Sequence, residues 1–124
     1  MNDQIIEYLN FLTEHYYFIE NDIEKCKKKW FPRKPQTIFL FSRVGESIIK
    51  NLDLLNENEK MILFNHIENG VRSESNSLST IVATGLVESL VTATDDNDDL
   101  WRELETLLGA ESLNHALAWK NFGQ

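Results

Sequence analysis

The first thirty residues carry an apolar stripe with a regular helical period. Apolar and aromatic side chains recur at alternating spacings of four and three residues: Ile5, Leu9, Leu12, Tyr16, Ile19, Ile23, Cys26 and Trp30. This spacing places all of them along one face of an α-helix. Asn2 or Asp3 can cap its start, and Phe31-Pro32 ends it. The stripe therefore predicts a long N-terminal helix over residues 3–30.

Two alternatives remain open for this segment. Asn21-Asp22 is a point at which the helix could break in two, because both side chains compete for backbone hydrogen bonds. The stripe could also form a seam between two copies of the chain, although it spans fewer than four heptads. We expect it to pack on its own domain, with Cys26 as a small apolar core residue.

The rest of the chain predicts a linker over residues 31–36 and a helical core over residues 37–122. The second helix begins near Thr37, although residues 38–41 could also form a short strand. Asn56 and Glu59 have the spacing of a capping box for the third helix. A run of acidic residues and Gly109 separate the last helices, so we expect an all-α, single-domain bundle of five to six helices.

The segment over residues 78–94 is apolar on almost every side. Leu78, Ile81, Val82, Leu86 and Leu90 form one face, and Ala83, Val87 and Val91 lie across from it. A helix with this pattern is usually central and covered by several neighbours. Gly85 lowers helix propensity by about 1 kcal/mol relative to alanine, so we expect a neighbouring helix to approach closely there.

Composition limits the kinds of function that the chain can have. Its 124 residues suffice for one domain, and its single Cys indicates a reducing, cytoplasmic environment. No apolar run reaches the length of a membrane span. The formal net charge of −8 argues against nucleic acid or an anionic membrane as a partner.

The charge is distributed unevenly along the chain. Residues 1–34 hold six acidic and six basic residues, so the entire net charge lies in residues 35–124. All six of those bases fall between Lys25 and Lys34, at a predicted helix C-terminus, where lysines are favourable. We expect that run to be structural, or else to contact an acidic surface of a partner or of a second copy.

No motif indicates catalysis, a metal or a cofactor. His15, His66 and His115 lack the spacing of a metal-binding helix, although His66 and His115 could meet in space. Residues 95–99 fit the first positions of a calcium loop, but Leu100 and Thr106 occupy positions that require Gly and Glu. We therefore expect no enzyme and no cofactor.

The acidic run is better explained by helix initiation together with partner binding. Asp96 would serve as the N-cap, with Asp98 and Asp99 in the first turn. Four acids in five residues exceed what capping requires. Inside the apolar segment, the lone acid Glu88 suggests a half-buried ion pair with Arg43 or Arg102.

Four segments resemble a family of small, uncharacterised helical bacterial proteins. They read IENG at 67–70, VATGLVESL at 82–90, LLGAES at 107–112 and AWKNF at 118–122. Similar proteins occur among the immunity proteins of bacterial toxin–immunity pairs, including contact-dependent growth inhibition systems. The resemblance implies a helical protein that neutralises a cognate toxin, often a nuclease that cleaves tRNA or other RNA and has a basic active site.

Charge and resemblance together predict an acidic face that covers such an active site in a 1:1 complex. The candidate contact residues are Asp95, Asp96, Asp98, Asp99, Glu57 and Glu59, with Trp101 as a buried anchor. The alternative is a helical interaction or regulatory module, which could form a homodimer through the N-terminal helix.

Overall fold

The computed structural model describes residues 1–122, which form seven helices and contain no strand. The helices are α1 (Asp3–His15), α2 (Tyr17–Trp30), α3 (Thr37–Lys50), α4 (Glu57–Val71), α5 (residues 76–92), α6 (Asp98–Leu107) and α7 (Ala110–Lys120). A short 3-10 turn, Leu52–Leu54, joins α3 to the Asn56–Glu59 capping box that starts α4. The all-α class is confirmed, with more helices than the five to six expected.

The additional helix arises because the N-terminal segment is two helices and not one. Tyr16 leaves the helical conformation, with φ −131° and ψ 98°, and its carbonyl oxygen starts α2 by accepting from the N–H groups of Ile19 and Glu20. Its buried side chain donates from the hydroxyl to the Glu59 carbonyl oxygen at 3.1 Å. The predicted continuous helix over residues 3–30 is therefore wrong. The tertiary contacts of Tyr16 stabilise a non-helical backbone conformation at this residue, which divides the segment into α1 and α2.

The other candidate break point, Asn21-Asp22, lies inside α2. The Asp22 carboxylate accepts a 2.6 Å hydrogen bond from the buried Ser47 hydroxyl of α3. Asp22 thus fastens α2 to α3 and does not end the helix.

After the break, α2 runs back along α1. Met1 at the start of the chain and Lys27 near the end of α2 line the same depression. The stripe residues from Ile5 to Cys26 are all buried in the core of this chain. They are therefore not available as a seam between two copies.

The core is centred on α5, which packs against α3, α4 and α7. Its middle, Val82–Val87, is a π-helix between the α-helical segments Asn76–Ile81 and Glu88–Thr92. Within this π-helix, the Gly85 carbonyl oxygen accepts a hydrogen bond from the Ser42 hydroxyl of α3 at 3.4 Å. A Cβ on Gly85 would lie 2.7 Å from the Cβ of Phe41, so the expected close approach at this glycine is present.

A carboxylate of α4 caps the N-terminus of α7, more than 40 residues later in the sequence. The N-cap residue of α7 is Gly109, which has no side chain that could cap the helix. The Glu68 carboxylate of α4 takes this role and accepts hydrogen bonds from the N–H groups of Glu111 and Ser112 at 3.0 and 2.9 Å. Burial raises the pKa of Glu68, but these bonds and one from the Ser112 hydroxyl outweigh it, so the net pKa is lowered. A Cβ at Gly109 would overlap this carboxyl group.

We expect Glu68→Ala to lower the free energy of unfolding by about 2 kcal/mol, because α7 loses an acceptor at its N-terminus. Urea denaturation at neutral pH measures the change. The exposed Glu74→Ala is the matched control and should change stability by less than about 0.5 kcal/mol. Equal midpoints for the two variants would contradict the capping role.

His66 lies in a stack of rings between α4 and α1. Its ring centroid is 3.9 Å from that of Tyr8 and 4.1 Å from that of Phe11, and its Nε2 lies 3.2 Å from the Tyr8 carbonyl oxygen. The pKa of His66 is lowered to about 4, chiefly because burial disfavours the charged ring. The hydrogen bond to Tyr8 partly opposes this shift, and the nearby His15 adds to it. The histidine is therefore neutral in the folded protein near pH 6.

Protonation of the unfolded chain then favours unfolding in mild acid. Between pH 6.5 and 4 the unfolded state binds the His66 proton and the native state does not, so stability falls as the pH falls. Allowing for partial exposure of the ring, we expect a loss of about 1 kcal/mol from pH 7 to pH 5. Urea titrations should show this loss in the native protein and in His15→Gln. A His66→Phe variant that keeps the full loss would contradict the assignment.

Candidate partner-binding site

The acidic run forms an exposed turn between α5 and α6. Asn97, and not Asp96 as predicted, is the N-cap of α6: its backbone is extended and its side-chain oxygen accepts from the Leu100 N–H at 3.0 Å. Asp98 and Asp99 occupy the first turn of α6 as expected. Asp96 stays in the preceding turn, so its charge plays no part in capping.

All four aspartates of this turn are exposed. Asp99 forms a 3.2 Å ion pair with Arg102, and both side chains are largely exposed to solvent. Within residues 1–122, Asp95, Asp96 and Asp98 form no salt bridge. At three of its four aspartates, the turn therefore presents negative charge that no salt bridge within residues 1–122 neutralises. We name residues 95–99 the acidic turn.

Trp101 does not accompany these acids at the surface. Only 8% of it is exposed, and Lys120 of α7 places its Nζ 4.5 Å from the ring centroid. Leu104, one turn later, is fully buried on the same face of α6. The Trp101 side chain thus belongs to the core and is not available as an anchor.

An exposed aromatic pair lies instead against the end of α5, three residues before the acidic turn. The rings of Trp119 and Phe122 stack at 5.9 Å with an interplanar angle of 9°, and the residues are 39% and 78% exposed. Trp119 Nε1 donates to the hydroxyl of Thr92, the last residue of α5 before the turn, at 3.3 Å. The i, i+3 spacing of the two aromatics at the chain end was a signal for this pair that sequence analysis missed.

A groove extends from Trp119 between α3, α5 and α7. Its volume is about 450 Å³, and its lining residues are Ser42, Glu46, Thr84, Glu88, Ser89, Thr92, Ala93 and Trp119. Two carboxylates and one exposed indole thus face the same space. A Lys or Arg side chain suits such a lining, since it can pair with a carboxylate and lie on the ring.

Glu88 pairs with a different residue than its sequence suggested. Its Oε2 lies 2.7 Å from His115 Nε2 of α7, and both side chains are partly buried. The proposed partners are engaged elsewhere: Arg43 lies 3.8 Å from Glu46, and Arg102 binds Asp99. His115 is held by Glu88 and His66 by the rings of α1, so the suggested meeting of these two histidines does not occur.

The second acidic group, Glu57 and Glu59, already forms contacts within the chain. Glu59 closes the capping box through its side chain. Lys60 Nζ lies 3.0 Å from Glu103 of α6 and 3.6 Å from Glu57, and its hydrogen bond to Glu103 raises the pKa of the lysine. This group therefore carries less unneutralised charge than the acidic turn does.

No family model, curated protein or solved structure matches the chain. In residues 1–122, no three His, Cys, Asp or Glu side chains are placed so that they could hold a metal ion. Every helix of this part is too short or too polar to traverse a bilayer. The case for a function thus rests on the surface that the acidic turn, the aromatic pair and the groove make together.

Proposed function

We propose that this chain is a bacterial immunity protein that binds and neutralises a cognate protein toxin. The observation that carries the proposal is an acidic turn with three exposed aspartates that form no salt bridge within residues 1–122. It closely follows Thr92, which hydrogen-bonds the exposed Trp119 of the aromatic pair. A protein that inhibits by binding alone needs a complementary surface and no catalytic group.

The charge of the acidic turn favours a basic partner. Opposite potentials accelerate encounter and reject partners of the wrong charge. The active site of a nuclease is basic because it holds phosphates, so an acidic face can occupy it in place of RNA. We therefore favour a nuclease toxin, cleaving tRNA or other RNA, as the partner.

The aromatic pair would contribute to the affinity of the complex, whereas the aspartates would increase its association rate. Energetically important interface residues are enriched in Trp and are surrounded by contacts that exclude water. Trp119 has an aromatic neighbour and borders the groove. Glu46 and Glu88 each pair with a base of this chain through Oε2, so their Oε1 atoms would receive a basic side chain of the toxin. We infer a 1:1 complex formed in the cytoplasm, where an RNA-cleaving toxin acts and the lone Cys stays reduced.

The test starts from the genes that flank the gene for this protein, among which we expect a toxin gene. Its C-terminal domain should kill cells when expressed alone, and co-expression of this chain should restore growth. Light scattering of the purified mixture should show one copy of each protein. A neighbouring toxin that this chain neither binds nor inhibits would overturn the proposal.

A further inference from the structure

A further depression lies between the start of α1 and the segment that joins α2 to α3. Its volume is about 450 Å³, and its lining residues are Met1, Lys27, Phe31, Pro32, Arg33, Lys34, Pro35 and Leu40. The other end of α1, at Tyr16, contacts α4 through Glu59. Since the 13 residues of α1 span about 20 Å, the depression and the second acidic group occupy opposite ends of this helix.

The floor and edge of the depression are apolar. Phe31 is 80% exposed and Met1 is 59% exposed, and both line it. Nearby, the half-exposed Phe39 packs its ring 5.5 Å from that of Trp30. Contiguous exposed apolar surface of this kind marks interaction sites in proteins that otherwise bury their large side chains.

The rim of the depression is basic. Residues 25–34 contain six of the twelve bases of the chain and no acid. Of the three cations at the depression, Lys27 lies 3.8 Å from Glu24 and the Arg33 guanidinium lies 5.6 Å from the Trp30 ring centroid. Lys34 has no salt bridge within residues 1–122. Arg33 and Lys34, which form no salt bridge within residues 1–122, thus place positive charge at the edge of a concave apolar surface on a chain whose net charge is −8.

We propose that this depression binds an acidic peptide segment of a partner protein that inserts an apolar side chain between Phe31 and Met1. The apolar side chain fills the concave floor, and flanking carboxylates pair with Lys27, Arg33 and Lys34. An anionic membrane fits less well, because a flat surface leaves the concavity empty and the rest of the chain repels it. This binding is independent of the acidic turn and of the toxin.

The test uses a short synthetic peptide in which glutamates flank a central Leu-Phe pair, titrated into the isotope-labelled full chain. Amide signals from Lys27 to Leu40 and the indole signal of Trp30 should shift, and those of residues 92–99 and Trp119 should not. A matched peptide with Ser-Ser at its centre should bind at least about fivefold more weakly, because it supplies charge without apolar contact.

Two variants separate the contributions of charge and apolar contact. Arg33→Glu/Lys34→Glu should weaken peptide binding at least about tenfold, and Phe31→Ser about fivefold. The control is Lys50→Glu, an exposed lysine at the far end of α3, which should change binding less than about twofold.

Several outcomes would overturn the proposal: no shift between Lys27 and Leu40, equal binding of the Ser-Ser peptide, or unchanged binding by the double variant. Tighter binding to phosphatidylserine vesicles than to the peptide would assign the site to a membrane. A molecular mass that rises with protein concentration, and falls again when the peptide is added, would assign the depression to a second copy of the chain. Because the acidic turn is untouched in these variants, protection against the toxin should persist.

Discussion

Reversing Asp95, Asp96, Asp98 and Asp99 to Lys should abolish protection against the toxin and slow its association at least about a hundredfold. The aspartates of the acidic turn are exposed, and three of them have no basic partner in residues 1–122, so their charge is free to act on an approaching molecule. Stopped-flow association rates and growth of toxin-expressing cells measure the effect. The rate for the native protein should itself fall steeply as salt increases.

A matched reversal controls for net charge. Glu7, Glu14, Glu20 and Glu74 are exposed and form no salt bridge in the described part of the chain, so replacing them with Lys changes the charge equally. That variant should still protect. Because Asp98 and Asp99 also stabilise the first turn of α6, Asp95→Lys/Asp96→Lys provides a variant that leaves the helix start intact and should still slow association. Full protection by all three variants would show that the acidic turn has no role.

Replacing Gly45 with Val should destabilise the fold by about 3 to 4 kcal/mol. A Cβ at this position would overlap the Ser89 hydroxyl oxygen and lie 2.7 Å from the Leu86 carbonyl oxygen of α5. Ser89 can rotate away, but the backbone oxygen cannot, so α3 and α5 would have to separate. A loss of this size is a large fraction of the total stability of a small domain.

Urea denaturation of Gly45→Val measures this loss directly. Lys50→Val, at the exposed end of the same helix, is the control and should cost about 0.5 kcal/mol from propensity alone. Adding Ser89→Gly to Gly45→Val should restore only part of the stability, since the contact with the Leu86 carbonyl oxygen remains. Similar midpoints for Gly45→Val and Lys50→Val would contradict the close packing of α3 on α5.

Local sequence signals predicted those features that depend on neighbouring residues. The Asn56–Glu59 capping box and the close approach at Gly85 follow from spacing and propensity, and both are present. The break at Tyr16 has no such signal, since the apolar period passes through it unchanged. It depends on the hydrogen bond to Glu59, 43 residues away, which no local pattern contains.

In the candidate site, too, the sequence predicts the features that depend on local residues and misses those that depend on tertiary packing. Exposure of the four aspartates follows from their charge, but the positions of the two tryptophans depend on packing. Trp101 lies on the α6 face that Leu104 also occupies and is buried, whereas Trp119 is near the end of α7 and reaches Thr92. The cap on α7 likewise joins two segments, 67–70 and 107–112, that are distant in sequence, through Glu68.

The most direct test of the account is a titration of the isotope-labelled chain with the toxin domain, followed through the three tryptophan indole N–H signals. The aromatic pair borders the acidic turn, and Trp30 lies near the basic depression. We expect the indole signal of Trp119 and the amides of residues 92–99 to shift, while the indole of Trp30 stays unchanged. A shift of the Trp30 indole with unchanged Trp119 and acidic-turn signals would contradict the account.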